Sequence, residues 1–274
     1  TDLILSMARL FQSFFIEFSS ERLINVIWIV ALCFTMFVLS IVFSKLAYKR
    51  FPDEVRPVLR FTAIFSNCGY MGLPLMKALY GDEGVFLGSF YIVIFHIVLW
   101  SYGYMMFGGT GSKKEIAKKV LTNPSIISVY CGLIIFIFSI PIPSFISGAV
   151  KAVGDMTMPI SMLIIGAVMS TTQFKKIFSD WRVYLSAVAR LVAMPFMGIG
   201  FIKLLNFILI QAGSVLSVPL LPGAVIVTAL AMPAAANTTI FSELFGKDAV
   251  FASKCVTLST LLSILTAPLI ISLL

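Results

Sequence analysis

Apolar residues run along this chain in blocks of about twenty, separated by short polar loops, and blocks of that length suit an α-helix crossing a bilayer. The pattern predicts nine segments: 3–18, 24–43, 61–79, 85–107, 123–141, 145–169, 183–210, 222–245 and 249–274. The sixth is expected to kink at Pro159. Two segments are interrupted in their middle. The third contains Ser66-Asn67-Cys68-Gly69-Tyr70-Met71-Gly72-Leu73-Pro74, and the eighth contains Met232-Pro233-Ala234-Ala235-Ala236-Asn237-Thr238-Thr239. Pro74 and Pro233 withhold the N–H that would close a helix. Backbone groups freed inside a bilayer are tolerated only within protein or beside a water-filled cavity. Two such interruptions in corresponding halves of a chain point to a transporter's binding site.

Loop charge supports the count of segments. The second, fourth and sixth loops carry Lys and Arg clusters, and the eighth carries Lys247 and Lys254. The odd-numbered loops are acidic or uncharged, with Glu17, Glu21, Asp82 and Glu83 against a single Arg22. Basic loops stay on the cytoplasmic side, so the linker 108–121 is expected there and the C-terminus outside. A repeat is also present: Leu79-Tyr80-Gly81-Asp82-Glu83-Gly84-Val85-Phe86 matches Leu244-Phe245-Gly246-Lys247-Asp248-Ala249-Val250-Phe251 at an offset of 165 residues. The first copy lies outside and the second inside, so the halves are inverted. The second half has five segments and the first has four, which predicts a five-plus-five whole whose first helix is missing from this chain. The expected division is 1–107, linker 108–121, and 122–274.

Composition places the chain in the bilayer: 59% of residues are hydrophobic, 12% are charged, and the mean hydropathy is +1.04. Soluble domains are about one-quarter charged. The net charge of +8 does not indicate nucleic acid, because the basic residues sit in short loops between apolar segments. Cys33, Cys68, Cys131 and Cys255 lack the spacing of a metal or disulfide framework. No hydrolytic constellation is present and there is one histidine, so neither catalysis nor a cofactor is expected. Gly108 to Lys113 lacks P-loop spacing and reads as a flexible linker. Gly84 and Gly88 form a GxxxG suited to helix packing.

The interruptions define the candidate site. Asn67 and Asn237 each offer a donor and an acceptor without a charge, while Gly69 and Gly72 allow close backbone approach. Half-helix N-termini favour an anion. Cys68, Ala234 and Thr238 fall within the same stretches. Asn67 can alternatively bond a neighbouring helix, and Thr238 its own backbone. Among charged residues within segments, Asp155 reads as a coupling carboxylate paired with Lys151, or as the outer end of a shorter helix. Arg190 is a candidate to neutralise a carboxylate or line the cytoplasmic path, and His96 to couple protons or simply pack.

In these residues the chain resembles the auxin efflux carrier family, which includes plant auxin carriers and bacterial malate and malonate permeases. The likeness lies in Ser66-Asn67 through Gly72-Leu73-Pro74-Leu75, Asn123-Pro124, Pro159-Ile160-Ser161-Met162 through Gly166, and Arg190 to Pro195. It continues in Met232-Pro233 through Asn237, Phe241 to Phe245, and Thr257-Leu258-Ser259-Thr260-Leu261-Leu262-Ser263. The resemblance implies an all-α membrane fold related to bile-acid/sodium symporters, with two broken helices that cross. It further implies a scaffold (1–18 and 122–170), a mobile transport domain (24–107 and 181–274), and a homodimer through the scaffold. The departures are the missing first helix and Ser6 where a proline is expected. The expected activity is secondary transport of a small mono- or dicarboxylate by alternating access. The alternative is a channel or receptor-like protein that binds a small ligand at the crossover without catalysis. No acidic cluster marks a sodium site, so proton coupling or uniport is expected ahead of sodium coupling.

Overall fold

The computed structural model describes residues 2–16, 19–109, 114–115, 118, 121–122, 124–156, 159–160, 163, 166–167, 177–178, 180–213 and 217–274. Its helices are α1 (Asp2–Gln12), α2 (Ser20–Ala47) and α3 (Arg56–Ile64). The helical stretch Cys68–Met106 reverses at Gly81, where φ is 66° and ψ is −150°. It is therefore two arms, α4 (68–80) and α5 (82–106). Next come α6 (Pro124–Phe138) and α7 (Ser144–Asp155). The helical stretch α8 (Trp181–Gln211) follows, then α9 (Leu220–Ala231), α10 (Asn237–Leu244) and α11 (Ala249–Ile271).

Local chemistry sets several of these ends. Ser19 caps α2 by accepting from the Arg22 N–H, and Asp180 caps α8 by accepting from the Arg182 N–H. Asp248 caps α11 by accepting from the Phe251 N–H. Such side chains satisfy donors that the first helical turn leaves unpaired. α3 begins at Arg56, five residues earlier than the apolar block, because Pro57 sits in the first turn, where a missing N–H costs nothing. α6 ends at Phe138, short of Pro141, where Ser139 takes φ 47°. Most of the expected sixth segment beyond Met156 lies outside the described residues, as do Lys113, Lys119, Asn123, Lys175 and Lys176. The expected kink at Pro159 is bounded by those residues.

Among the described residues, four helical stretches are long and apolar enough to cross a membrane: Ser20–Ala47, Cys68–Met106, Trp181–Gln211 and Ala249–Ile271. Large apolar side chains on their outer faces, such as Ile27, Phe34, Phe207 and Leu265, are exposed, as expected of surfaces that meet lipid rather than water. The described residues form an all-helical membrane protein whose core is rich in phenylalanine. Phe37, Phe61, Phe65, Phe95, Phe107 and Phe241 are all buried. Phe61 stands between Phe65, Phe107 and Phe241, with ring centroids 4.4–5.4 Å away.

α1 packs on α6 and α7, while α2 packs against α3, α9 and the α4–α5 hairpin, and α11 against α8, α9 and α10. One seam joins these two sets of helices. Phe14 touches Phe86 and Phe90, Phe86 touches Phe136, and the hydroxyls of Ser13 and Ser89 are 2.7 Å apart.

The GxxxG stretch lies inside the hairpin. A Cβ on Gly84 would come within 2.8 Å of the Met76 carbonyl oxygen, and one on Gly88 within 2.9 Å of Leu73. The two glycines thus let α5 fold back onto α4.

Candidate crossover site

The helix interruptions meet in the interior. α3 ends at Ile64 and helical structure resumes at Cys68. α9 ends at Ala231 and α10 begins at Asn237. Between them, Ser66 and Ala234 pair as an antiparallel bridge. The Asn67 N–H donates to the Pro233 carbonyl at 2.7 Å, and the Ala235 N–H donates to the Phe65 carbonyl at 3.0 Å. The Ala234 N–H donates to Ser259 Oγ at 3.2 Å. Each stretch thereby satisfies backbone groups that the other leaves open, which allows non-helical backbone at this depth.

Arg190 closes the same crossing from behind and has no exposed surface. Its Nε–H donates to the Met232 carbonyl at 3.1 Å, and Nη2 to Leu230 at 2.6 Å. Nη1 donates to Ala63 at 2.9 Å and approaches Ile64 at 3.5 Å. One guanidinium therefore takes up carbonyls at the C-terminal ends of both α3 and α9. Those ends carry partial negative charge, and a five-donor fork suits several acceptors at once. Among the described residues no carboxylate pairs with it. Of the two roles expected for Arg190, lining an open path does not match this geometry, because its donors are spent on backbone.

The other expected residues divide by burial. Asn67 is 4% exposed, and its carbonyl accepts from the N–H groups of Met71 and Gly72 in a widened π turn over Cys68–Gly72. Cys68 has no exposed surface, and a Cβ on Gly72 would sit 2.8 Å from its sulfur and 3.3 Å from Met232. Gly72 is thus a packing position against the second interruption. Gly69 and Asn237 are only half-buried and stand at the starts of α4 and α10. Pro74 lies within α4 rather than at the interruption, in the first α-helical turn that follows the π turn over Cys68–Gly72. Pro233 and Ala234 are buried in the crossing itself. The Thr238 hydroxyl donates to the Ala235 carbonyl, 2.6 Å away, in the interruption just before α10.

Asp155 ends α7 and pairs with Arg9 at 2.8 Å, not with Lys151 as the spacing suggested. Lys151 instead faces a cavity of about 280 Å³ shared with Gln12, Ser144, Ser147 and Asp82. Lys77, near the end of its arm, pairs with Asp82. His96 lies on α5 with its Nδ1 buried. No group of three or more His, Cys, Asp or Glu suited to a metal occurs among the described residues.

Sequence reasoning missed Tyr91, whose hydroxyl lies 3.0 Å from Ser66 Oγ, as well as Ser259 and Trp100. Their partners are distant in the chain. The local signal was a run of polar rings at Tyr91, His96, Trp100, Tyr102 and Tyr104 within a mainly apolar block.

The long apolar helices and the polar crossing buried among them define a multi-pass helical membrane protein. The chain belongs to the membrane transport protein family, that of the auxin efflux carriers, whose model matches residues 8–271. It is similar to an uncharacterized transporter of Methanocaldococcus jannaschii, with 23% identity over 243 residues, covering 86% of this chain and 74% of that one. It is also similar to an uncharacterized transporter of Methanothermobacter thermautotrophicus, with 24% identity over 220 residues, covering 77% of this chain and 66% of that one.

Proposed function

We propose that this membrane transporter carries a small organic anion by alternating access, and that the anion rests where the two interrupted helices cross. The observation that carries this reading is Arg190. It is a fully buried cation with no carboxylate partner among the described residues, bonded to the carbonyl ends of α3 and α9. On the other side of the crossing, α4 and α10 begin and present the positive ends of their dipoles. The crossing thus keeps a net positive field that an anion would complete. Asn67 and Asn237 supply uncharged donors at membrane depth, where a further permanent charge would be costly.

The inverted repeat belongs to this reading. Gly81 and Gly246, the glycines matched at an offset of 165 residues, both take positive φ, 66° and 61°. Each ends a half-helix that starts at an interruption. We assign α1, α6 and α7 to a scaffold that dimerises, and the other helices to the moving unit, with the Phe14–Phe86 seam between them. The basic linker 108–121 then lies in the cytoplasm and the C-terminus outside. With no acidic cluster near the crossing among the described residues, proton coupling or uniport fits better than sodium coupling.

Uptake of labelled malonate and malate into proteoliposomes tests this reading. Asn67→Ala and Asn237→Ala are each expected to cut uptake at least tenfold, since each removes hydrogen bonds to a charged ligand. Wild-type uptake by both variants, with normal insertion, would remove the crossing as the site.

A further inference from the structure

We infer that His96 and Trp100 complete the anion site from the α5 side and select for ligands with a second hydrogen-bond acceptor beyond the first carboxylate. This rests on the crossing being the anion site. Ile92 and His96 lie about one turn apart on one face of α5, and a π turn over Leu99–Gly103 carries Trp100 and Tyr104 onto the side that packs on α10. At the upper end, a Cβ on Gly69 would lie 3.8 Å from Ile92 Cδ1, so Ile92 stands beside the start of α4. At the lower end, Trp100 meets Phe241 at 5.7 Å and Tyr104 meets Phe245 at 5.3 Å between ring centroids. Both pairs advance by four residues together, so α5 and α10 run parallel and in register here. One turn back along both helices brings His96 level with Asn237, the first residue of α10. His96 therefore stands between the two helix starts, about 6 Å along α5 from the level of Gly69.

Two ring nitrogens of α5 are buried and without a hydrogen-bond partner among the described residues: His96 Nδ1 and Trp100 Nε1. An indole N–H can only donate, and a neutral imidazole can donate through Nδ1. Buried donors left unpaired are destabilising, and a ligand that supplies acceptors recovers that loss. With the first carboxylate at the helix starts, His96 and Trp100 are placed to donate to an oxygen at its far end. A ligand with a methyl group there would leave both donors empty.

The chain has three tryptophans, Trp28, Trp100 and Trp181, so Trp28→Phe combined with Trp181→Phe leaves Trp100 as the reporter. Its fluorescence, in full-length protein in nanodiscs, is titrated with malonate and with propionate, which replaces one carboxylate by a methyl group. Malonate is expected to change the Trp100 emission saturably and to bind at least tenfold more tightly than propionate. His96→Phe should bring the two ligands within about threefold of each other. His96→Asn should keep the preference, because its amide can donate near the position of Nδ1. Equal affinities in the tryptophan-reporter protein, no fluorescence response to either ligand, or a preference that survives His96→Phe would each overturn the inference. Asn67→Ala separates the two readings. It should weaken both ligands equally. Unchanged binding in that variant would count against the crossing as the seat of the first carboxylate, while the malonate preference would still report on His96 and Trp100.

Discussion

Arg190 binds parts of the molecule that are far apart in the chain. Its acceptors Ala63, Leu230 and Met232 lie 127, 40 and 42 residues away. Removing it would leave buried carbonyls unpaired at both helix ends. Arg190→Leu is therefore expected to destabilise the fold by roughly 3–5 kcal/mol, the usual cost of breaking a buried charged network. Arg190→Lys should recover only part, because an ammonium donates from a single point. Thermal unfolding in detergent checks the order, wild type above Lys above Leu. Asp180 makes a pH-dependent contribution. Hydrogen bonds from the Arg182 side chain hold its carboxyl below the ordinary carboxylate range. A depressed pKa stabilises the fold fully above the unfolded value, near pH 4, and the contribution is lost as pH falls through the folded value. The melting temperatures of wild type and Asp180→Asn should differ at pH 7 and converge as the pH drops below about 4.

At the scale of elements, glycine and proline punctuation fell at the stretches where α3 and α9 stop and helical structure restarts, and the GxxxG at Gly84 and Gly88 fell where α5 folds back onto α4. Their exact extent was less visible. The first interruption is confined to residues 65–67, because the π turn after Asn67 lets helical structure resume six residues before Pro74. The roles of Arg190, Ser259 and Trp100 left little trace in the sequence. The acceptors of Arg190 are backbone carbonyls, which every residue carries, and the α5–α10 register depends on contacts between distant segments. Gly88 gives the element-level prediction. A Cβ there would already meet Met76 Sδ at 2.7 Å, so Gly88→Leu must push α5 away from α4. Uptake and thermal stability should both fall, and more so than for Gly148→Leu, where a Cβ would meet nothing within 4 Å.

For the whole molecule, transport by moving one set of helices past the other requires the seam to slide. The seam is mainly aromatic, and the Ser13–Ser89 pair is a polar contact within it, with oxygens 2.7 Å apart. Oxygens that close make the two positions a pair to engineer as cysteines for a crosslink. Ser13→Cys with Ser89→Cys should crosslink on oxidation and halt malonate uptake, and reduction should restore it. Full uptake by crosslinked protein would show that the seam does not move during transport. The measurement that tests the central claim most directly is a structure determined in nanodiscs with malonate bound. The account predicts ligand density between Asn67, Gly69 and Asn237, with Arg190 still bonded to the carbonyls behind it. Density confined to the cavity beside Lys151, or a crossing in which α3 and α9 continue as unbroken helices, would contradict it.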